Sequence, residues 1–443
     1  MKLSKIFSQI SSKKVLVVGD FLLDTYTIGG TSRISPEAPV PVLRVDEVSH
    51  RPGGAGNVAL NLISLGLKVV ALGRIGDDDS GVLLKNELEK EGIETTGLFS
   101  QKLYCTPIKN RVIASNQQIV RIDYEKITPI SDDLEERILQ QLTTLLQDVD
   151  VVAISDYGKG FLSDEFLQAL ISSARQREIP VIVDPKGADF SKYAHASLIK
   201  PNFVEAVQAS NLDEETDVDL IGQAVLQRSM CEELVITRSD QGISYFSKSG
   251  IREDFPVKIR QVKDVTGAGD TVLAVMTCSV AHKFPMQMAC RLSNIAAGLA
   301  VEVLGCARIT LQQLAQRLLE EDVENKVFDD DHLYALQEVL RNRGLTLLGL
   351  EEDTQLTPEL LKTIRSLSVT DRDLMVYFRD GSPCEELVHI LTSLRDVDYI
   401  IHNHASFRKL CQMIKPSDVY VFGRKELKKL DQVSALFTGE QNG

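Results

Sequence analysis

The stretch DVTGAGD (264–270) sets two glycines around one alanine and closes on an aspartate. Directly behind it runs the apolar TVLAVMTCSVA (271–281), which reads as a buried helix. Small residues at a helix start leave free backbone N–H groups that a ligand can approach closely, and the helix dipole adds positive potential there. An aspartate in the same turn would repel a resting anion. Phosphoryl transfer reconciles the two: the amides cradle the moving phosphate and the carboxylate takes the proton of an attacking hydroxyl. A plain glycine turn capped by an aspartate remains the alternative for so short a motif.

Its neighbours along the chain tip the balance. PGGAGNVALNLISLG (52–66) is a second glycine-rich turn opening a helix. VGDFLLD (18–24) leaves Asp20 and Asp24 at the C-terminal end of the first apolar run, the end at which open α/β sheets bind ligands. KPNFVEA (200–206) sets Asn202 and Glu205 three apart just after another such run.

Those runs are KVLVVGD (14–20), KVVALGRIG (68–76), DVVAIS (150–155), IPVIVD (179–184), SLIKPN (197–202) and ELVITRS (233–239). Helical stretches such as DEFLQALISSARQR (164–177) separate many of them, so the expected fold is α/β with a parallel sheet covered on both faces. Residues 25–50 and 104–125 break the alternation and read as strands outside that sheet, forming a lid. The acidic 319–335 stretch reads as a linker between a first domain, 1–318, and a second, 336–443. The latter repeats a smaller α/β pattern: strands at 345–350, 373–378, 398–401 and 419–423, helices at 357–367, 384–394 and 406–414.

The 443 residues carry 63 acidic and 49 basic side chains, a formal charge of −14, which argues against a nucleic-acid or membrane-surface role. No apolar run approaches the roughly 20 residues a bilayer demands, and MKLSKIFSQISSKK lacks a signal peptide's apolar core. The seven scattered cysteines read as reduced thiols of a cytoplasmic protein.

The combination resembles the ribokinase-like (PfkB) carbohydrate kinases. Their glycine-rich segment stands as Gly53-Gly54-Ala55-Gly56-Asn57, their D-[TV]-T-G-A-G-D segment as Asp264 to Asp270, and their N-x-x-E motif as Asn202 and Glu205. The resemblance covers about residues 10–315. It implies a three-layer α/β/α sandwich with a small β lid. Asp270 would be the base, and the amides of Gly267, Ala268 and Gly269 would form the anion hole. Asp20, Asp24, Gly53, Gly54 and Asn57 would hold sugar hydroxyls; Asn202 and Glu205 would organise Mg²⁺. Thr237 and Gly242, in TRSDQG (237–242), resemble the nucleotide-binding turn for ATP, and Asn294 is a weaker contact there. It also implies a homodimer paired through the lid, and leaves a monovalent cation requirement open.

TSRISPEAPVPVLRV (31–45), SNQQIVRIDYE (115–125), SDYGKG (155–160) and DPKGADF (184–190) look like the branch acting on D-glycero-D-manno-heptose 7-phosphate at its anomeric hydroxyl. In that branch a second, Rossmann-like nucleotidyltransferase domain makes ADP-heptose. Among Arg33, Arg111, Arg121, Lys159 and Lys186, Lys186 is the favoured partner of the sugar's phosphate, with Arg121 beside it. The second domain departs from the family. Its H-x-G-H should follow LTLLGL (345–350), where EEDTQL stands instead. Segments 391–401 and 415–424 still resemble it, so the expectation is a degenerate scaffold without adenylyl transfer. His402 and His404 form an HxH without a third metal ligand, which reads as a surface pair.

Overall fold

The computed structural model describes residues 9–437 except 115–116, 258–261, 304, 323–325, 342, 352–353, 370, 380–384, 402 and 424–425. The chain divides into two compact units, one of residues Ser11–Thr310 and one built from Leu311 onward.

The first unit is organised by a nine-stranded sheet. Its order is Arg252–Phe255, Ile243–Ser247, Glu233–Thr237, Leu198–Ile199, Val181–Asp184, Val151–Ser155, Lys14–Gly19, Lys68–Gly76 and Glu94–Gln101. The last seven run parallel, and the first two close the edge as antiparallel hairpin strands. All six runs expected from the apolar pattern lie in it. The helix Ala268–Ala281 is buried on nearly every side, as its all-round apolar sequence requires.

The two irregular stretches form a separate four-stranded sheet, ordered Pro41–Gly54, Phe21–Ile34, Ile108–Ala114 and Gln117–Tyr124. Its second strand begins one residue after the first core strand ends, so Asp20 sits at the joint of core and lid. Pairing places Asp24 beside Lys109 and Tyr26 beside Arg111, on one face of the lid. Residues 115–116 of the segment 115–125 lie outside the described residues.

Arg74 ties this frame to the loops around it. It is 1% exposed. Its Nη1 donates to Gln101 Oε1 at 3.0 Å and to Pro129 O at 2.9 Å; its Nη2 donates to Lys159 O at 2.8 Å and to Thr128 O. The guanidinium also lies 4.1 Å from the Tyr104 ring centre.

In the second unit the strand order is Tyr399–Ile401, Arg372–Phe378, Gly344–Leu350, Asp418–Gly423 and Glu426–Leu430. The first four are parallel and the last is an antiparallel edge, whose charged ELKKL gave no strand signal. The chain divides before residue 318 because the helix Leu311–Asp322 belongs with the second unit: Gln312 Nε2 donates to Val339 O at 3.1 Å. The 319–335 stretch is not bare linker either, since Phe328 N–H bonds Ile400 O at 2.8 Å.

Replacing Arg74 by Met would remove the buried guanidinium's bonds to Gln101 and to the carbonyls of Thr128, Pro129 and Lys159. Arg74→Met should destabilise the first unit by about 3 kcal/mol, read as a lower midpoint in urea unfolding followed by circular dichroism.

Candidate active site

Asp270 lies in the first turn of the helix Ala268–Ala281 and is 4% exposed. Asn57 Nδ2 donates to its Oδ2 at 2.8 Å and Tyr157 Oη to its Oδ1 at 2.8 Å. Burial pushes the carboxyl up to about 7, against the pull of those two donors. Gly267 precedes the helix with φ 76°, and a Cβ there would come within 2.8 Å of Asn57 Nδ2. No side chain caps this helix start. The Ala268 amide leans on Val265 O at 3.3 Å, a long bond that a phosphate oxygen would replace.

On one side of Asp270 opens a cleft of about 1040 Å³. It is lined by Ala268 and Gly269, by Asn202, Glu205 and Lys186, and by Thr237, Gly242 and Asn294. Asn202 and Glu205 form a reciprocal capping box on the helix Phe203–Ser210: Asn202 Oδ1 accepts from Glu205 N–H at 2.9 Å, and Glu205 Oε2 from Asn202 N–H at 3.0 Å. Glu205 Oε1 meets Lys186 Nζ at 3.0 Å. Lys186, expected on the sugar's phosphate, therefore faces the cleft and partners the N-x-x-E carboxylate. Asn294 lines the cleft but donates to Phe255 O at 2.7 Å, so its amide already holds the strand edge.

Asp184 and Lys200 open the segments DPKGADF and KPNFVEA without a role of their own in the sequence reading, and they face each other at 3.0 Å. Both lie less than 4 Å from where a Cβ on Gly269 would stand. Burial raises the Asp184 carboxyl to about 6, Lys200 opposes this, and nearby Glu205 adds to it. The mutual repulsion of Asp184 and Glu205 suits a divalent cation held with its waters and phosphate oxygens. Among the described residues no cluster of three His, Cys, Asp or Glu forms a protein-only metal cage.

The other side of Asp270 faces the lid. Asp20 Oδ2 accepts from the amides of Tyr157 at 3.0 Å and Lys159 at 2.9 Å. Its Oδ1 is buried and, among the described residues, unpartnered, an acceptor waiting for a donor. Asp24 is ion-paired with Arg111, and a Cβ on Gly53 would fall 2.2 Å from Asp24 Oδ2, so only glycine fits there. Gly54 starts the helix that carries Asn57. Arg121 sits opposite Arg111 on the lid's outer strand and is bound to Asp123 at 2.8 and 3.0 Å.

Lys159 stands among the basic candidates of the sequence and Lys109 does not; the structure brings the two together. Lys109 Nζ lies 5.3 Å from the Tyr157 ring centre, and Lys159 Nζ meets Glu125 Oε2 at 2.7 Å. Burial first, then the neighbouring Lys159, hold the Lys109 ammonium below its usual range.

Two glycine-started helices thus converge on one buried carboxylate, with an open cleft on one side and a polar lid face on the other. The sequence model of one family, described as pfkB family carbohydrate kinase, matches residues 12–313. The chain belongs to the pfkB family. It is a phosphotransferase with an alcohol group as acceptor.

This kinase is 37% identical over 442 residues to the bifunctional protein HldE of Helicobacter pylori strain P12, covering 94% of this chain and 92% of the relative. It is 40% identical over 343 residues to the bifunctional protein HldE of Trichlorobacter lovleyi, covering 76% and 70%. Its fold matches Escherichia coli phosphofructokinase-2 in complex with potassium (TM-score 0.58, 21% identity, 70% of this chain and 99% of that one). It also matches Arabidopsis thaliana ribokinase complexed with ribose and ATP (TM-score 0.54, 19% identity, 70% and 99%).

In the second unit of the kinase, the strand order reverses between Gly344–Leu350 and Asp418–Gly423, where an open sheet would take its ligand. The chain itself packs at those strand ends. Leu436 is 1% exposed and packs on Gly349, where a Cβ would come within 2.6 Å of it. Arg379 Nε donates to Leu436 O at 3.0 Å, and Arg379 Nη1 lies 3.6 Å from Glu351. Tyr377 stacks on Phe407 at 3.8 Å, with Phe437 beside both. His404 bonds the Tyr377 hydroxyl; His402 lies outside the described residues.

A base must be ionised to accept a proton. With its carboxyl near 7 in the empty enzyme, Asp270 predicts that kcat/KM falls as pH drops through that range. Asp270→Asn should lower kcat by at least about 10³-fold and leave ATP affinity within about threefold, read by steady-state kinetics and calorimetry.

Proposed function

We propose that this kinase uses ATP to phosphorylate the anomeric hydroxyl of D-glycero-D-manno-heptose 7-phosphate, giving the 1,7-bisphosphate for ADP-heptose and lipopolysaccharide core supply in the cytoplasm. The observation that carries the reading is the two-part character of the lid face. Asp20 offers sugar hydroxyls a buried carboxylate oxygen that is unpartnered among the described residues, while Lys109, over the Tyr157 ring, and Lys159, paired with Glu125, bring two ammonium groups near each other. A polyol carrying a phosphate at its far end complements both. The extended similarity to the HldE proteins supports the same substrate.

In the reaction, Asp270 accepts the proton of the anomeric hydroxyl as that oxygen forms its bond to the γ-phosphorus. The bond from the γ-phosphorus to the ADP oxygen breaks, and the electron pair leaves with ADP. The amides of Gly267, Ala268 and Gly269 receive the charge developing on the phosphoryl oxygens. Thr237 and Gly242 line the nucleotide's place, and Lys186 and Lys200 flank the phosphates. Magnesium, held with the triphosphate by Asn202 and Glu205, would neutralise phosphate charge. The potassium in the phosphofructokinase-2 structure motivates including K⁺ in the assay.

The sugar's phosphate belongs to Lys109 and Lys159, with Arg121 at the rim, and not to Lys186. A homodimer paired through the lid accords with the exposed apolar side chains on its outer strands, Val45, Val48, Ile119, Val120, Ile122 and Tyr124. Adenylyl transfer by the second unit is lost: acidic Glu351 follows the strand where H-x-G-H is expected, and Leu436 occupies the crevice.

Full-length protein with ATP and Mg²⁺ should release ADP with heptose 7-phosphate and stay silent with ribose, fructose 6-phosphate and adenosine. Phosphorus NMR should show the new phosphate on the anomeric carbon. Turnover on another sugar alone would overturn the substrate. Supplied with heptose 1-phosphate and ATP, the protein should make no ADP-heptose; its appearance would show an active second unit. Lys109→Met should raise KM for the sugar phosphate about 10- to 100-fold and leave KM for ATP unchanged.

A further inference from the structure

Tyr157 stands two residues beyond the strand Val151–Ser155, where it touches three parts of the acceptor side at once. Its backbone N–H donates to Asp20 Oδ2 at 3.0 Å, and its hydroxyl donates to Asp270 Oδ1 at 2.8 Å. Lys109 Nζ lies over its ring, 5.3 Å from the centre. The carboxylate meant to hold sugar, the base and a cation assigned to the sugar's phosphate therefore share one residue.

The contact with Asp270 has a definite chemical consequence. An ionised carboxylate offers about four lone-pair sites, and Tyr157 and Asn57 each fill one on a different oxygen. Two donors on two oxygens fix the carboxylate plane and leave the remaining sites for the sugar hydroxyl. A Tyr hydroxyl can hold this place only while protonated. Burial, with the negative charges of Asp270 and Asp184, keeps the Tyr157 phenol well above its usual range, so it stays a donor.

We propose that Tyr157 is a positioning residue of the phosphoryl transfer: its hydroxyl orients the Asp270 carboxylate and favours its ionised form, while its amide sets Asp20 against the same sugar. The proposal rests on Asp270 being the base. The other groups that bear on Asp270 are Asn57 from the helix Ala55–Ser64, Asp184 and Lys200 at the ends of their strands, and the Cys306 thiol. None of them touches both carboxylates.

Tyr157→Phe tests it, because it keeps the ring beneath Lys109 and the amide on Asp20 and removes only the hydroxyl. A donor to the charged form lowers a carboxyl's pKa, so its loss raises it. The acid limb of kcat/KM should therefore move to higher pH, with kcat down about 10- to 100-fold and KM for ATP unchanged. In the reverse direction, 3-fluorotyrosine at position 157, a more acidic donor on an unaltered frame, should move the limb to lower pH. A rate loss with the limb unmoved in both variants would overturn the proposal, and so would an unchanged rate in Tyr157→Phe. If Asp270→Asn remained active, or the wild-type enzyme had no acid limb, the base assignment itself would fall. A wild-type limb that Tyr157 leaves in place would remove this inference alone.

Discussion

Burying a carboxylate at a helix start is unfavourable unless its charge finds donors. Asp270 meets that constraint with Asn57 on one oxygen and Tyr157 on the other. The requirement reaches far along the chain. Asn57 must arrive from a helix begun by Gly54, and Gly54 ends the lid strand that carries Gly53 against Asp24. Tyr157 must arrive from the loop after a central strand, a loop whose Lys159 carbonyl is held by buried Arg74. Core sheet, lid and central helix are thereby bound to one carboxylate, which also stands between the open cleft and the lid face.

Much of this was legible in the sequence for a physical reason. Strands buried on both faces need unbroken Val and Ile, and close approach to a phosphate needs glycine, so both leave local marks. The contacts that complete the site leave none. Lys109 and Lys159 are 50 residues apart and meet only because the lid folds back over the loop after a core strand. Tyr157, Arg74 and the Asp184–Lys200 pair acquire their roles from partners brought in by the sheet. Lys186 shows the opposite case: it stands in a telling segment, yet its position after the strand Val181–Asp184 turns it toward Glu205 in the cleft.

The two units treat their ligand crevices differently. In the first, polar groups at the strand ends are left incompletely satisfied: Asp20 Oδ1 has no partner among the described residues, and the helix at Asp270 has no side-chain cap. Such groups are tolerated where a ligand supplies the missing bond. In the second, the matching place at the strand ends holds Leu436, the Glu351–Arg379 ion pair and stacked aromatic rings.

That difference bears on the stability of the second unit. The core of the second unit, built on Leu348, Ile364, Leu374, Val376 and Ile400, reaches the strand ends beside the crevice through Leu350 and Phe422. Burying a leucine side chain in it stabilises the unit by roughly 1.5–3 kcal/mol relative to leaving that side chain exposed. The Arg379 bond to the Leu436 carbonyl satisfies the backbone that the seal brings inside. Selection on stability alone would favour closing such a site, whereas the first unit must keep its own open to turn over substrate.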